Sequence, residues 1–305
     1  MNKIIEVSHL SKSYGPVQAV RDISFYVEQG KLFAFLGPNG AGKSTTIDMI
    51  CTFLRPDGGT VTVDGYTLGR QDNEIRSSIG AVFQDGLLDP LLTVWENLQI
   101  RGGFYGIKGQ ALRQAVQHAA EVTGVADLLK RPYGKLSGGQ RRRCDIARAL
   151  IHTPKILFLD EPTTGLDPQT RQNVWDTVQQ LQKHTGMTLF LTTHYMEEAA
   201  EADYVLVIDN GCIAAKGTPA ALRERYASDK LTLICDDVAA VRALLDARGI
   251  EFSAFSAEQL VVRLSSTLDA LPLIEVCRPH LTGFEVTSGT MDEAFIGITG
   301  KELRA

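Results

Sequence analysis

Residues 31–45 read KLFAFLGPNGAGKST, an almost unbroken apolar run followed by a glycine-rich turn of the form G-x-x-x-x-G-K-[ST]. A short run that is apolar on both faces fits a strand inside a parallel sheet covered by helices. The turn leads into the helical pattern STTIDMI. Gly37, Gly40 and Gly42 let backbone N–H groups turn inward around phosphate oxygens at the positive end of that helix. Lys43 can then reach the outer phosphates and Ser44 can ligate Mg²⁺. Strand, cradle and helix in this order call for an α/β sheet with its site at the C-terminal ends of the strands.

Three further apolar runs continue the sheet: KILFLD (155–160), MTLFLTTH (187–194) and YVLVID (204–209). Helical patterns separate them. Asp167 reads as an N-cap with Pro168 at the first helical position, and Val174, Trp175, Val178 and Leu181 trace one buried face. The α/β pattern extends to about residue 222. Within it, residues 85–150 form a mostly helical subdomain, with a helix-like stretch broken at Gly124. The tail reads strand (KLTLICDD), helix (VAAVRALLDARG), strand (IEFSAF), strand (QLVVRLS), helix (TLDALPLIEVCRPH, despite Pro272) and strand (GFEVTSG), closed by the short helix TMDEAFIGITG. That β-α-β-β-α-β order predicts a small ferredoxin-like α+β domain. The expected division is 1–225 and 226–305.

Composition narrows the partners. Lys and Arg total 31 against 36 Asp and Glu, a net charge of −5. Without a clustered basic face, nucleic acid is not an expected partner. The five cysteines form no CxxC pair, which predicts reduced, mostly buried thiols in a cytosolic protein rather than a zinc site. The N-terminal residues lack the apolar run of a signal peptide, and every apolar run is shorter than the roughly 18 residues a membrane span needs. If the chain acts at a membrane, another chain must supply the spans.

Phosphoryl transfer also needs a carboxylate for Mg²⁺ and a group that directs water. The end of KILFLDEP offers Asp160 for the first role. Glu161, next along the strand and facing the other way, can polarise water. His194 ends its strand where α/β ligands sit, where it can contact a γ-phosphate or serve packing. Gln84 follows the strand-like IGAVF, where it reads as loop or ligand, and Tyr14 can stack on an adenine ring or simply pack.

A second glycine pair lies in LSGGQ (136–140). Ser137 and Gln140 have the S-x-x-Q spacing of a capping box opening the helix QRRRCDIARAL. Gly138 and Gly139 are poor helix formers, costing up to about 1 kcal/mol each, so a start stripped of side chains suggests an anion approaching its N–H groups. The first cradle is already complete within this chain, so that anion is expected on a second copy. The run Arg141–Arg143 reads as a solvated helix face.

These motifs, in this order over residues 3–222, resemble the ATP-binding subunits of ABC transporters. The resemblance matches Tyr14 to the A-loop, Gly37, Pro38, Asn39, Gly40, Ala41, Gly42, Lys43, Ser44 and Thr45 to Walker A, and Gln84 to the Q-loop. It matches LSGGQ to the signature, Asp160 and Glu161 to Walker B and the residue after it, GLD (165–167) to the D-loop, and His194 to the switch histidine. It implies ATP and Mg²⁺ as cofactors, with Ser44, Asp160 and Gln84 at the metal and Glu161, His194 and Gln84 catalytic. It also implies a head-to-tail dimer, identical or mixed, in which Ser137, Gly138, Gly139, Gln140 and Asp167 meet the nucleotide of the opposite subunit. The Q-loop and helical subdomain would couple closure to a separate membrane permease, placing the chain in the cytoplasm on the inner face of the membrane.

LTVWENL, QRRRCDIARAL, TTHYMEEA and MDEAFIGITG are most similar to the daunorubicin-resistance type of exporter ATPase, whose relatives handle drugs, lipids, polysaccharides or nodulation factors. Cys144 replaces a more usual leucine and reads as a packing substitution. Two other readings stay open: an importer ATPase with a regulatory ferredoxin-like tail, and a soluble ABC ATPase acting on DNA or ribosomes. The latter usually carries coiled-coil or zinc inserts or two cassettes, none of which occurs here.

Overall fold

The computed structural model describes residues 2–300; Met1 and residues 301–305, at the two ends of the expected domains, lie outside the described residues. Two compact units divide between Thr218 and Pro219.

The first unit opens with a feature the apolar runs do not announce. Strands β1 (Lys3–Tyr14) and β2 (Val17–Glu28) pair antiparallel, and with β4 (Gly58–Val63) and β5 (Tyr66–Thr67) they form a sheet of order β2-β1-β4-β5. Between them in sequence lies β3 (Leu32–Leu36), fully buried, in a six-stranded sheet. That sheet has the order β10-β9-β3-β8-β7-β6, comprising β6 (Ile79–Val82), β7 (Ile156–Asp160), β8 (Thr188–Thr193), β9 (Tyr204–Asp209) and β10 (Cys212–Gly217). All its pairings are parallel except the closing β9–β10 hairpin. The two sheets share a core in which Phe190 of β8 is the hub. Its ring lies 5.0 Å from Phe158, 5.1 Å from Phe33 and 6.4 Å from Phe25 of the antiparallel sheet. Aromatic pairs at this spacing add about 0.5–1.5 kcal/mol each beyond their burial, so the sheets hold one another.

Helix α1 (Lys43–Ile50) follows β3, and α2 (Asp72–Ser78) precedes β6. Between β6 and β7 come α3 (Val94–Phe104), α4 (Gly109–Val122) and α5 (Gly138–Leu150), with no strand among them. Helix α6 (Pro168–Thr185) connects β7 to β8, capped by Asp167, whose carboxylate accepts from the Thr170 N–H at 3.0 Å. The short α7 (Met196–Ala200) follows β8.

The second unit begins with α8 (Pro219–Tyr226). Then come β11 (Asp229–Cys235), α9 (Val238–Asp246), β12 (Phe252–Ala254), β13 (Gln259–Leu264), α10 (Ala270–Cys277), β14 (Leu281–Thr287) and α11 (Met291–Thr299). The sheet order β12-β13-β11-β14, antiparallel throughout, is the ferredoxin-like plan. Pro272 sits at the third position of α10, where its missing N–H costs no helical hydrogen bond. The core of this unit is Leu231, Leu233, Leu260 and Val262 from the sheet against Val241, Leu245 and Leu273 from the helices.

Candidate active site

The parallel register brings three strand ends to one edge. Leu36 of β3 lies opposite Thr193 of β8, and Asp160 of β7 opposite Thr192. The loop 37–42, the Asp160–Glu161 pair and His194 therefore emerge side by side. At Gly37 a Cβ would come within 2.3 Å of the Ile208 carbonyl oxygen, and at Gly42 (φ 106°) within 2.4 Å of the Ala19 carbonyl oxygen, so the loop can run this close to β9 and β2 only as glycine. Lys43 is buried, and its Nζ bonds the loop's own carbonyls, Gly37 O at 2.6 Å and Pro38 O at 3.2 Å. Burial lowers its pKa, while Glu161 and Asp160 oppose that shift. Ser44 is exposed at the same helix start.

Asp160 and Glu161 have opposite surroundings. Burial raises the Asp160 pKa, offset in part by the Thr192 hydroxyl, which donates to Oδ1 at 2.5 Å. That hydroxyl also accepts the Glu161 N–H at 3.1 Å. Strand β7 ends at Asp160, so Glu161 does not continue it. Its φ of 47° turns the backbone left-handed, a conformation costing about 1–2 kcal/mol for a residue with a Cβ. The turn places Glu161 Oε2 3.5 Å from His194 Nδ1 and 3.1 Å from the Thr164 hydroxyl. The His194 contact is the main cause holding the Glu161 carboxyl below its ordinary pKa. The group is thereby favoured as the ionised carboxylate.

The other expected residues are placed as follows. Gln84 has an exposed side chain just past β6, and its carbonyl accepts from Arg142 at 3.1 Å. Tyr14 is 51% exposed at the tip of the β1–β2 hairpin, opposite Val17. Ser137 and Gln140 form the expected capping box at the start of α5. Gly138 and Gly139 have a reason within this chain as well: a Cβ on Gly139 would meet Thr170 Cγ2 of α6 at 2.2 Å, and one on Gly138 would meet Leu166 Cδ2 at 3.1 Å. Asp167, the cap of α6, is exposed.

Besides the strand position of Glu161, another expectation fails. The arginine run is not a uniformly solvated face, because Arg142 is 7% exposed and donates to three carbonyls, those of Phe83, Gln84 and Glu161. A further support unseen in the sequence lies behind His194. The buried Glu198 carboxylate accepts from the Thr163 hydroxyl, and Arg171 lies 4.2 Å over the Tyr195 ring, itself 4.2 Å from His194. Cys144 is buried, its thiol pushed up to about 12 mainly by desolvation, so it packs and does not react.

Residues 20–164 match the ABC transporter family. Over 307 residues the chain is 38% identical to the daunorubicin/doxorubicin resistance ATP-binding protein DrrA of Streptomyces peucetius, covering 98% of this chain and 93% of that one. It is also 38% identical over 310 residues to the Nod factor export ATP-binding protein I of Ralstonia nicotianae, covering 99% and 95%. A solved dimer of the ATP-binding cassette MJ0796, in a post-hydrolysis state with ADP and phosphate, superposes with a TM-score of 0.64 at 27% identity, over 70% of this chain and 98% of that one.

Proposed function

Since this chain belongs to the ABC transporter family as an ATP-binding, ATP-hydrolysing subunit of the export type, we propose that it drives export by closing head to tail on a second such subunit. Each nucleotide is then sandwiched between residues 37–45 of one subunit and residues 137–140 of the other. The observation that carries this reading is the convergence of Lys43, Asp160, Glu161 and His194 on one sheet edge, with Glu161 held ionised beside His194.

Tyr14 stacks on the adenine, and the N–H groups of 37–45 receive the phosphates. Lys43 exchanges the Gly37 and Pro38 carbonyls for the outer phosphate oxygens, which return the charge partner that burial denies it. Among the described residues no cluster of three or more His, Cys, Asp or Glu could hold an ion unaided. The donors Ser44, Gln84 and Asp160 are few and all oxygen, which suits Mg²⁺ shared with phosphates and water. Held by Ser44, Gln84 and Asp160, such an ion would neutralise charge on the transferring phosphoryl group. Glu161 accepts a proton from the attacking water, and His194 contacts the γ-phosphate. Ser137, Gly138, Gly139 and Gln140, with Asp167, complete the opposite subunit's site.

Among the described residues no helix is long and apolar enough to cross a membrane, so a separate permease supplies the path. A surface fit for it runs past Gln84. Phe53 packs edge-on against Phe83 at 5.5 Å, Arg101 joins Leu87 to Phe104, and Leu91 and Phe104 are 88% and 72% exposed. Apolar exposure of this kind marks an interaction site. The chain would lie on the cytoplasmic face through that partner, with 226–305 as an accessory domain.

Glu161→Gln tests the reading. It should bind ATP normally and lose hydrolysis by about 10²-fold or more, accumulating the closed dimer. Near-normal turnover would contradict the role given to Glu161.

A further inference from the structure

The six-stranded sheet ends at β6, whose outer edge pairs with no further strand among the described residues. Side chains of α5 and the residues after it take the place of one. His152 Nε2 contacts the Ile79 carbonyl at 2.9 Å, Arg148 donates to that of Ala81, and Arg142 donates to that of Phe83. These are alternate residues, as a ladder along one strand edge requires. Arg142 alone continues past the strand, to the Gln84 carbonyl at 3.1 Å and the Glu161 carbonyl at 3.3 Å. Glu161 is thus held on both sides of its left-handed backbone, its N–H by Thr192 and its carbonyl by Arg142.

The same arginine lies one turn beyond Ser137–Gln140, the part of α5 that serves the opposite nucleotide in the reading above. We propose that Arg142 is a positioning residue that ties the trans-acting start of α5 to the Gln84 and Glu161 backbones of its own subunit, so that engaging one nucleotide sets the hydrolytic geometry around the other. This rests on the head-to-tail reading and deepens it. Arg142 touches no reacting atom; its effect passes through Glu161 and Gln84. The guanidinium suits the task because its planar fork can serve several carbonyls at once, whereas an ammonium is a single point of charge.

The full-length chain carries the test, in the variants Arg142→Met, Arg142→Lys and Arg148→Met, compared below their melting temperatures. Arg148→Met is the structural control, since it too frees an edge carbonyl but reaches neither Gln84 nor Glu161. ATP affinity is read with a fluorescent ATP analogue, and kcat and KM from steady-state hydrolysis. Arg142→Met should lower kcat about tenfold or more at unchanged analogue affinity, the loss expected for removing charged hydrogen bonds felt in the transition state. Arg142→Lys should recover part of the rate, and Arg148→Met should lose stability with little change in kcat. Equal kcat losses in Arg142→Met and Arg148→Met, or affinity falling in step with kcat, would overturn the proposal. Should Arg142→Met fail to fold, Arg142→Lys decides: reduced kcat at unchanged affinity supports the role, and wild-type kcat refutes it. Lys43→Ala separates the two levels, because retained analogue binding there would sink the nucleotide site itself, whatever Arg142 does.

Discussion

Asp160 and Glu161 are neighbours with the same chemistry and opposite electrostatics. Asp160 is pushed up by burial, so its proton is held more tightly folded than unfolded. The stability linked to that proton is full below the unfolded pKa and is lost as pH rises through the folded one. Toward neutral pH the buried Asp160 carboxyl is therefore a cost to the nucleotide-free protein. Glu161 is pushed down, mainly by His194, so its contribution is present above the unfolded pKa and lost as pH falls through the folded one. Asp160→Asn should accordingly raise the melting temperature at pH 7 without nucleotide, by about 2–4 °C per kcal/mol relieved, and Glu161→Gln should lower it. Melts of both variants check this, and shifts of the same sign would contradict it. The identity of these residues was legible because they close one apolar run in the sequence, Asp160 as the last strand residue and Glu161 just after it. The turn at Glu161 was not, since nothing in DEP announces a positive φ at a residue with a Cβ.

Among the elements, α5 shows where sequence patterning reached and where it stopped. Its capping box follows from S-x-x-Q spacing alone. The burial of Arg142 was available too: it shares a helical face with the buried Ile146, Ala149 and Leu150, a periodicity that outweighs membership in an arginine run. Strands β1 and β2 were hidden for a different reason. Register shifts between Val7 and Leu10 and again by Lys12 break the alternation that would have marked them, with His9 at φ 55° inside the irregularity. The tail strands, with a single shift at Ile234/Cys235 near the end of the β11–β14 pairing, could be read directly. The glycine pair of α5 answers to close packing against α6, and on the proposed reading also to access for an anion. Gly139→Ala should cost about 1–3 kcal/mol through overpacking against Thr170. Pairing it with Thr170→Ser removes the offending methyl, so the double variant should regain thermal stability yet remain impaired in ATP hydrolysis. Recovery of both would mean that the glycine serves packing alone.

For the molecule as a whole, the P-loop, Glu161 and His194 lie in the first unit, on one edge of one sheet, while residues 137–140 cap a helix whose glycines face α6. In the head-to-tail reading proposed above, the chain carries two halves of a nucleotide site. The sequence suggested this division because one glycine cradle came with its lysine and metal ligands and the other without. On that reading, head-to-tail pairing makes the second half useful and hydrolysis a property of the pair, while ATP binding remains a property of each subunit. The direct measurement is ATPase rate per subunit of the full-length chain as it is diluted through the range in which the dimer dissociates. The rate per subunit should fall with the dimer population while ATP binding persists; a rate that stays flat on dilution would contradict the account.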